Sequence, residues 1–202
     1  MRGIAAAACM DRSLLSGGDG SPILADALIR HSIATGAAAE ALAKASEKSL
    51  APEAFIAGLL HDFGVVVQMR LNTAGMRRYI TSGAGISARE NRALELDSLS
   101  VSHEHCSGLI PGEWRLPEIL CEAVRHRHGS RAAVPAAQKL AALVEIGQEL
   151  SLSCRFGYGA EMTSGGLPGE ALSLLRIRDE VIADCLAGLQ GRVRELESAL
   201  TG

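Results

Sequence analysis

The chain has 202 residues, 48% of them apolar and 21% charged, which suits one domain with a sizeable core and excludes a disordered segment. The formal charge of −3 excludes a general nucleic-acid binder, which needs a basic excess to neutralise phosphates. Aromatic residues make up only 3%, so Leu, Ile, Val and Ala must fill the core, and abundant Ala favours closely packed helices.

Almost every segment reads at helical period. Ser21-Pro22 predicts an N-cap with Pro at the first helical position, opening a helix through Ala25, Leu28, Ile29 and Ile33 towards Lys48. Pro52-Glu53 opens a second helix, which arrives at His61-Asp62-Phe63-Gly64, where Gly64 ends or bends it. Val65, Val66, Val67, Met69 and Leu71 continue as core; a strand there would lack a partner run to pair with. Residues 73–81 form a short helix, and Ser87 to Glu90 has capping-box spacing. Further helices start near Ser102, at Leu116-Pro117-Glu118 with Gly129 as the stop, and at Pro135. Residues 154–169 are Gly-rich and read as a loop. Over 170–200, Ile182, Cys185, Leu186, Leu189, Val193, Leu196 and Leu200 form one stripe, expected to dock as a closing helix or to pair with a second copy as a coiled coil. The whole reads as one all-α domain over 1–202, without repeat or linker.

Five cysteines (Cys9, Cys106, Cys121, Cys154, Cys185) without a CxxC predict reduced thiols in a cytoplasmic protein. No apolar run approaches the roughly 18 residues of a membrane span, and Met1 to Met10 is expected to be helix and no leader.

All six histidines lie between His31 and His128. In His61-Asp62, adjacent helical side chains point about 100° apart. Both reach one metal only at a helix end or bend, which Gly64 offers. An imidazole nitrogen beside a hard carboxylate oxygen suits Mn, Fe, Co, Ni or Zn, and an Asp can bridge two ions. The bland alternative is a His closing the last carbonyls of a helix beside a solvated Asp.

Leu28-Ile29-Arg30-His31-Ser32, then an Ala-rich helix, then Ala57-Gly58-Leu59-Leu60-His61-Asp62-Phe63-Gly64 resembles the HD superfamily, in which an upstream His precedes an "AGLLHDxG" helix. Downstream, Ser102-His103, Trp114-Arg115-Leu116-Pro117 and Glu122-Ala123-Val124-Arg125-His126-Arg127-His128 are similar to the "DHxxxG", "WxLP" and "EAIRxHH" segments of its HDOD branch, the HD-related output domain. The resemblance covers roughly residues 22–150. Such a domain usually begins with a further helical half, whose end residues 1–20 resemble, so most of that half is expected to be missing here. The resemblance implies an HD-type helical bundle, metal ligation by His31, His61 and Asp62 (Asp62 being catalytic in an active enzyme), and a bacterial-type signal-transduction output role with protein partners.

Departures from the pattern follow the site. The family's later Asp ligand falls on Gln148, a neutral and poor ligand, with Glu145 a substitute on the same face. Val65 stands where many HD enzymes carry a phosphate-positioning Lys, and Gly129-Ser130-Arg131 replaces a Gly-Tyr-Pro motif, which disfavours cyclic-dinucleotide hydrolysis. His103 and His126 are expected inward as extra metal ligands; His105 and His128, two residues from them, are expected at the surface or capping. Arg30 and Arg125 precede candidate site histidines and could clamp a phosphate, or simply sit in solvated pairs. Trp114 is expected as a buried anchor, and Cys106 and Cys121 as buried thiols. The favoured function is a regulatory domain with a degenerate metal site, its Mn, Fe, Ni or Zn weak or absent, acting on a protein or small ligand such as a nucleotide or phosphate-bearing molecule. A metal-dependent phosphohydrolase is the alternative, and a purely structural role with the last helix as a homodimer seam comes third.

Overall fold

The computed structural model describes residues 22–82, 88–158 and 164–201, and every regular element among them is helical. In chain order these are α1 (Pro22–Ser46), a 3-10 turn (Lys48–Leu50), α2 (Ala51–Leu60), α3 (Phe63–Leu71), α4 (Thr73–Ser82), α5 (Ala88–Leu99), α6 (His103–Glu113) and α7 (Glu118–Arg125). A second 3-10 turn (Ser130–Ala132) leads to α8 (Pro135–Ser153), α9 (Gly169–Leu175) and α10 (Asp179–Thr201). Pro52 and Pro135 sit in the first turns of α2 and α8, where a missing N–H costs nothing. The expected caps at Ser21 and Ser87, the segment 1–20 and Cys9 lie outside the described residues.

Helix α1 is the pillar of the bundle. It packs against α2, α8 and α10, so it is apolar nearly all round, with Ala34, Ala37, Ala38, Ala39, Leu42 and Ala43 buried. Glycine lets the backbones come this close. A Cβ on Gly58 would lie 2.6 Å from the Gly36 Cα, and one on Gly147 would lie 2.9 Å from the Thr35 carbonyl oxygen. The α1–α2 and α1–α8 crossings are therefore backbone against backbone, and they bring His31 on α1 to the end of α2.

The α2–α3 break falls at Asp62 itself (φ −108°, ψ 16°), which is the N-cap of α3. Gly64 serves a different purpose from the bend expected of it. A Cβ there would stand 2.0 Å from the His103 carbonyl oxygen, and its N–H donates to Ser107 Oγ at 2.8 Å. The missing side chain lets the starts of α3 and α6 abut, and so carries His103 towards Asp62. One apolar cluster joins α1, α2, α7, α8, α9 and α10; a second joins the start of α1 to α3, α4 and Leu99. His31 and the His61-Asp62 pair fall in sequence where one cluster hands over to the other.

The α10 stripe docks on α1, burying Ile182, Leu189 and Val193, as expected of a closing helix. Arg30–Glu197 and Arg192–Glu40 ion pairs tie its polar flank to α1. Cys185, Leu186 and Leu196 of the same stripe are half-buried against this core. The expectation of no long apolar run needs correcting. Lys48–Leu71 has the length and hydropathy of a span, but its helices break at Asp62 and 67% of its most apolar window is buried inside the protein, as a core segment requires.

Candidate metal centre

His31 and His61 face each other with Nε2 atoms 3.2 Å apart. Asp62 Oδ2 lies 3.2 Å from the His61 Nε2 and 3.5 Å from the His31 Nε2. All three residues are fully buried. The opposite edge of each ring is held by main chain: His61 Nδ1 contacts the Gly58 carbonyl at 2.7 Å, and His31 Nδ1 the Phe156 carbonyl at 2.8 Å. A carbonyl only accepts, so each Nδ1 carries the proton and donates. Burial, against the pull of Asp62, pushes the His61 pKa down to about 4; its ring is neutral at pH 7 and its Nε2 presents a lone pair. Burial alone would raise the Asp62 carboxyl, but His61 and the Arg127 guanidinium outweigh that and hold it well below the usual carboxylate range.

The carboxylate's other oxygen is taken by Arg127, whose Nη2 lies 2.6 Å from Asp62 Oδ1 and 2.5 Å from His103 Nε2. Arg127 is fully buried. His103 is oriented by Glu95 of α5, which accepts from both its ring Nδ1 (2.7 Å) and its backbone N–H. Gln68 braces Glu95 at 3.1 Å. Burial pushes the Glu95 carboxyl up, yet the His103 hydrogen bonds outweigh it and the net shift is downward. His103 thus carries its proton on Nδ1 and accepts from Arg127 at Nε2. From beyond α8, Tyr158 donates its hydroxyl to Asp62 Oδ2 at 2.7 Å, and the Ser151 hydroxyl lies 3.0 Å from His31 Nδ1.

Of the residues singled out in the sequence, His31, His61, Asp62 and His103 converge. His126 does not: it caps α7 through its backbone N–H and its ring pairs at 3.7 Å with Glu122. Helix α7 ends at Arg125, so the turn that follows inverts the facing and sends Arg127 inward. Arg30 is exposed and paired with Glu197 at 2.7 Å, and Arg125 pairs with Glu122 at 2.6 Å; neither joins the cluster. His105 is exposed, and His128 lies at the surface 3.5 Å from Glu104. Gln148 is buried on α8, whereas Glu145 is half-exposed and bonded to Ser130. Trp114 is exposed rather than a buried anchor; one side stacks edge-on against Phe63 at 5.0 Å. Cys121 is buried and Cys106 half-buried.

Sequence reasoning missed Arg127, Glu95 and Tyr158. Two had a signal. Arg127 stands where the HDOD pattern has the first histidine of its pair. Tyr158, with Phe156, is an aromatic residue inside a Gly-rich stretch of a chain poor in aromatics. Arg155 adopts a left-handed φ of 64°, which turns the chain back so that Phe156 and Tyr158 close over the cluster. Glu95 had no local signal.

The donor set fits a divalent transition metal. His31, His61 and Asp62 offer three ligand atoms within 4.8 Å of one another, and both imidazoles donate their far N–H to a carbonyl, the usual support of a metal-bound His. Two imidazole nitrogens and a carboxylate oxygen converge there at 3.2–3.5 Å.

A family model, HDOD domain, matches residues 1–130; the chain belongs to the HDOD family. No curated protein matches it in sequence. Among solved structures it resembles a protein from Marinobacter aquaeolei VT8 named for signal transduction, at 19% identity and a TM-score of 0.68. The match covers 85% of this chain and 38% of that one. It also resembles an HDOD domain protein with unknown function from Geobacter sulfurreducens, at 20% identity and a TM-score of 0.59, covering 94% and 64%. The chain therefore spans well under the full length of both, and at these identities the likeness establishes the all-α HDOD fold alone.

Proposed function

We propose that this HDOD-family chain is a cytoplasmic signal-transduction output domain whose HD cluster is a sealed structural centre, and that it acts by binding a protein or small ligand. The observation that carries this reading is burial. His31, His61, Asp62 and Arg127 are all 0% exposed, and both Asp62 oxygens are already engaged by Arg127 and Tyr158. A phosphoester could not reach such a carboxylate without the Phe156–Tyr158 segment lifting away. Gln148 and Val65, in place of an acidic ligand and a phosphate-positioning Lys, point the same way. A divalent ion such as Mn, Fe, Ni or Zn, held by His31, His61 and Asp62, would clamp α1 to the α2–α3 break; its Lewis acidity is what it would lend to chemistry if the site opened. The name of the Marinobacter relative supports the signalling role.

A metal-dependent phosphohydrolase is the second reading, favoured only by the converging lone pairs of His31 and His61. The two are separated by a phosphoester and nucleotide screen with each metal in excess. No turnover is expected. Metal-dependent hydrolysis that disappears in His61→Ala would replace the first reading with the second.

A further inference from the structure

The Asp62 oxygen that faces the two imidazoles also faces a phenol. Oδ2 lies 3.2 Å from His61 Nε2, 3.5 Å from His31 Nε2 and 2.7 Å from the Tyr158 hydroxyl. The Tyr158 ring leans on that of His31, with centroids 5.2 Å apart, and it is as buried as the cluster it covers. Its place is fixed by backbone. Arg155 turns the chain back with its left-handed φ of 64°, the Phe156 N–H donates to the Ser151 carbonyl at 3.0 Å, and the Phe156 carbonyl accepts from His31. Arg127 occupies the other oxygen, Oδ1, which leaves Oδ2 as the carboxylate's one free point of attachment for an ion.

A structural ion closed off from water takes four protein ligands, and His31, His61 and Asp62 are three. Ligand atoms about 2.0–2.2 Å from one ion stand roughly 2.8–3.5 Å from each other. The Tyr158 oxygen has nearly that relation to Oδ2, as Oδ2 has to the imidazoles. A phenol ligates as phenolate, a hard and anionic oxygen, which suits trivalent iron better than the softer zinc or nickel. Its negative charge also offsets the repulsion of Arg127 for an ion.

We propose that Tyr158 is the fourth ligand of the centre and that the ion selected is ferric iron. The hydroxyl's O–H bond breaks as the oxygen–iron bond forms, the proton leaves to solvent, and the iron is ferric before and after. The segment that seals the cluster is then fastened by the ion it encloses. The inference rests on the reading that His31, His61 and Asp62 hold an ion.

The test uses the untagged full chain, freed of metal and loaded with ferric citrate. Iron is counted by elemental analysis, and visible absorption and resonance Raman spectra are recorded for wild type, Tyr158→Phe, Tyr79→Phe and His61→Ala. Wild type is expected to hold one iron per chain, with a phenolate-to-iron charge-transfer band and tyrosinate vibrations enhanced within it. The chain has two tyrosines, so the band should survive Tyr79→Phe and vanish in Tyr158→Phe, which should hold iron at least about tenfold more weakly. Iron bound to wild type and lost in His61→Ala, but without the band, would overturn the proposal and leave the three-ligand reading standing. So would a band that persists in Tyr158→Phe. No iron bound to wild type overturns the proposal; if Mn, Ni and Zn fail to bind as well, the three-ligand reading falls with it. Should Tyr158→Phe lose its helical circular dichroism, Tyr79→Phe decides alone: a retained band upholds Tyr158 as the ligand, and a lost band overturns it.

Discussion

Gly58→Ala and Gly188→Ala are the same chemical change in two helices, and opposite signs are expected. Helix propensity alone favours Ala over Gly by about 0.5–1 kcal/mol at each position. At Gly188, on α10, an added Cβ meets nothing within 4 Å, so that gain should appear nearly whole. At Gly58 the Cβ would lie 2.6 Å from the Gly36 Cα, 2.7 Å from the Gly36 nitrogen and 3.0 Å from the Thr35 carbonyl carbon. All three are backbone atoms, so no rotamer relieves the contact. Restoring van der Waals separation needs the helices to part by about 1 Å. Overpacking of this kind costs about 1–3 kcal/mol, and a backbone clash belongs at the top of that range. Subtracting the propensity gain leaves a loss of about 2 kcal/mol, or roughly 4–8 °C in melting temperature for a chain of this size. Urea unfolding followed by circular dichroism reads it as a lower midpoint at unchanged slope. The separation also pulls His31 from His61, so bound metal should fall in parallel. A Gly58→Ala protein as stable as Gly188→Ala would refute the backbone-contact account of the α1–α2 crossing.

Tyr158→Phe takes a hydrogen bond from the buried Asp62 carboxylate; a charged acceptor so deprived loses about 1.5–3 kcal/mol, and an unchanged urea midpoint would show that the hydroxyl does not hold the cluster closed. Burial, opposed by its Ser130 hydrogen bonds, raises the Glu145 carboxyl. Its proton is therefore held more tightly in the folded chain, a stabilising contribution that is full below the ordinary carboxylate range and lost as pH rises through the raised value. Glu145→Gln should gain on wild type as pH rises above the ordinary carboxylate range, and a difference that stays flat with pH in paired melting curves would refute this. Burial pushes the Cys185 thiol up to about 11, leaving about a thousandth as thiolate at pH 8. In a variant whose other cysteines (Cys9, Cys106, Cys121 and Cys154) are replaced by Ala, Ellman's reagent should titrate Cys185 only after unfolding; rapid labelling of the native protein would contradict the packing of α10 on α1.

The legible part of this protein was whatever repeats locally. The 3.6-residue period and the prolines at 52 and 135 placed α2 and α8, and the run from Ala57 to Gly64 with the upstream His31 placed three members of the cluster. What stayed hidden depends on where a helix ends. His126 and Arg127 exchange roles because α7 stops at Arg125, one residue before the facing would have favoured the histidine. A boundary one residue away is within the scatter of any end signal. Glu95 was hidden for another reason. It reaches His103 across a helix–helix contact that exists because Gly64 has no Cβ, and the sequence near Glu95 carries no trace of that approach. The Gly-rich stretch after α8 is irregular over its described residues 154–158 and 164–168, yet two of those residues seal the site, since a loop contributes by its path rather than by its period.

Charge shows why the centre needs Arg127 even without any ion. Asp62 and Glu95 are two buried carboxylates, both held ionised, linked through the one ring of His103. Without Arg127 the cluster would bury two negative charges beside the lone pairs of two imidazoles, a burden that burial does not forgive without a partner. With Arg127 the net charge of the described cluster is about −1. A divalent ion between His31, His61 and Asp62 would turn it to about +1, which is no closer to neutrality. The Arg127 charge would oppose such an ion and weaken its hold. Such a balance suits a scaffold that must stay folded with or without its ion, and a hydrolase that depends on a firmly held metal would be poorly served by it.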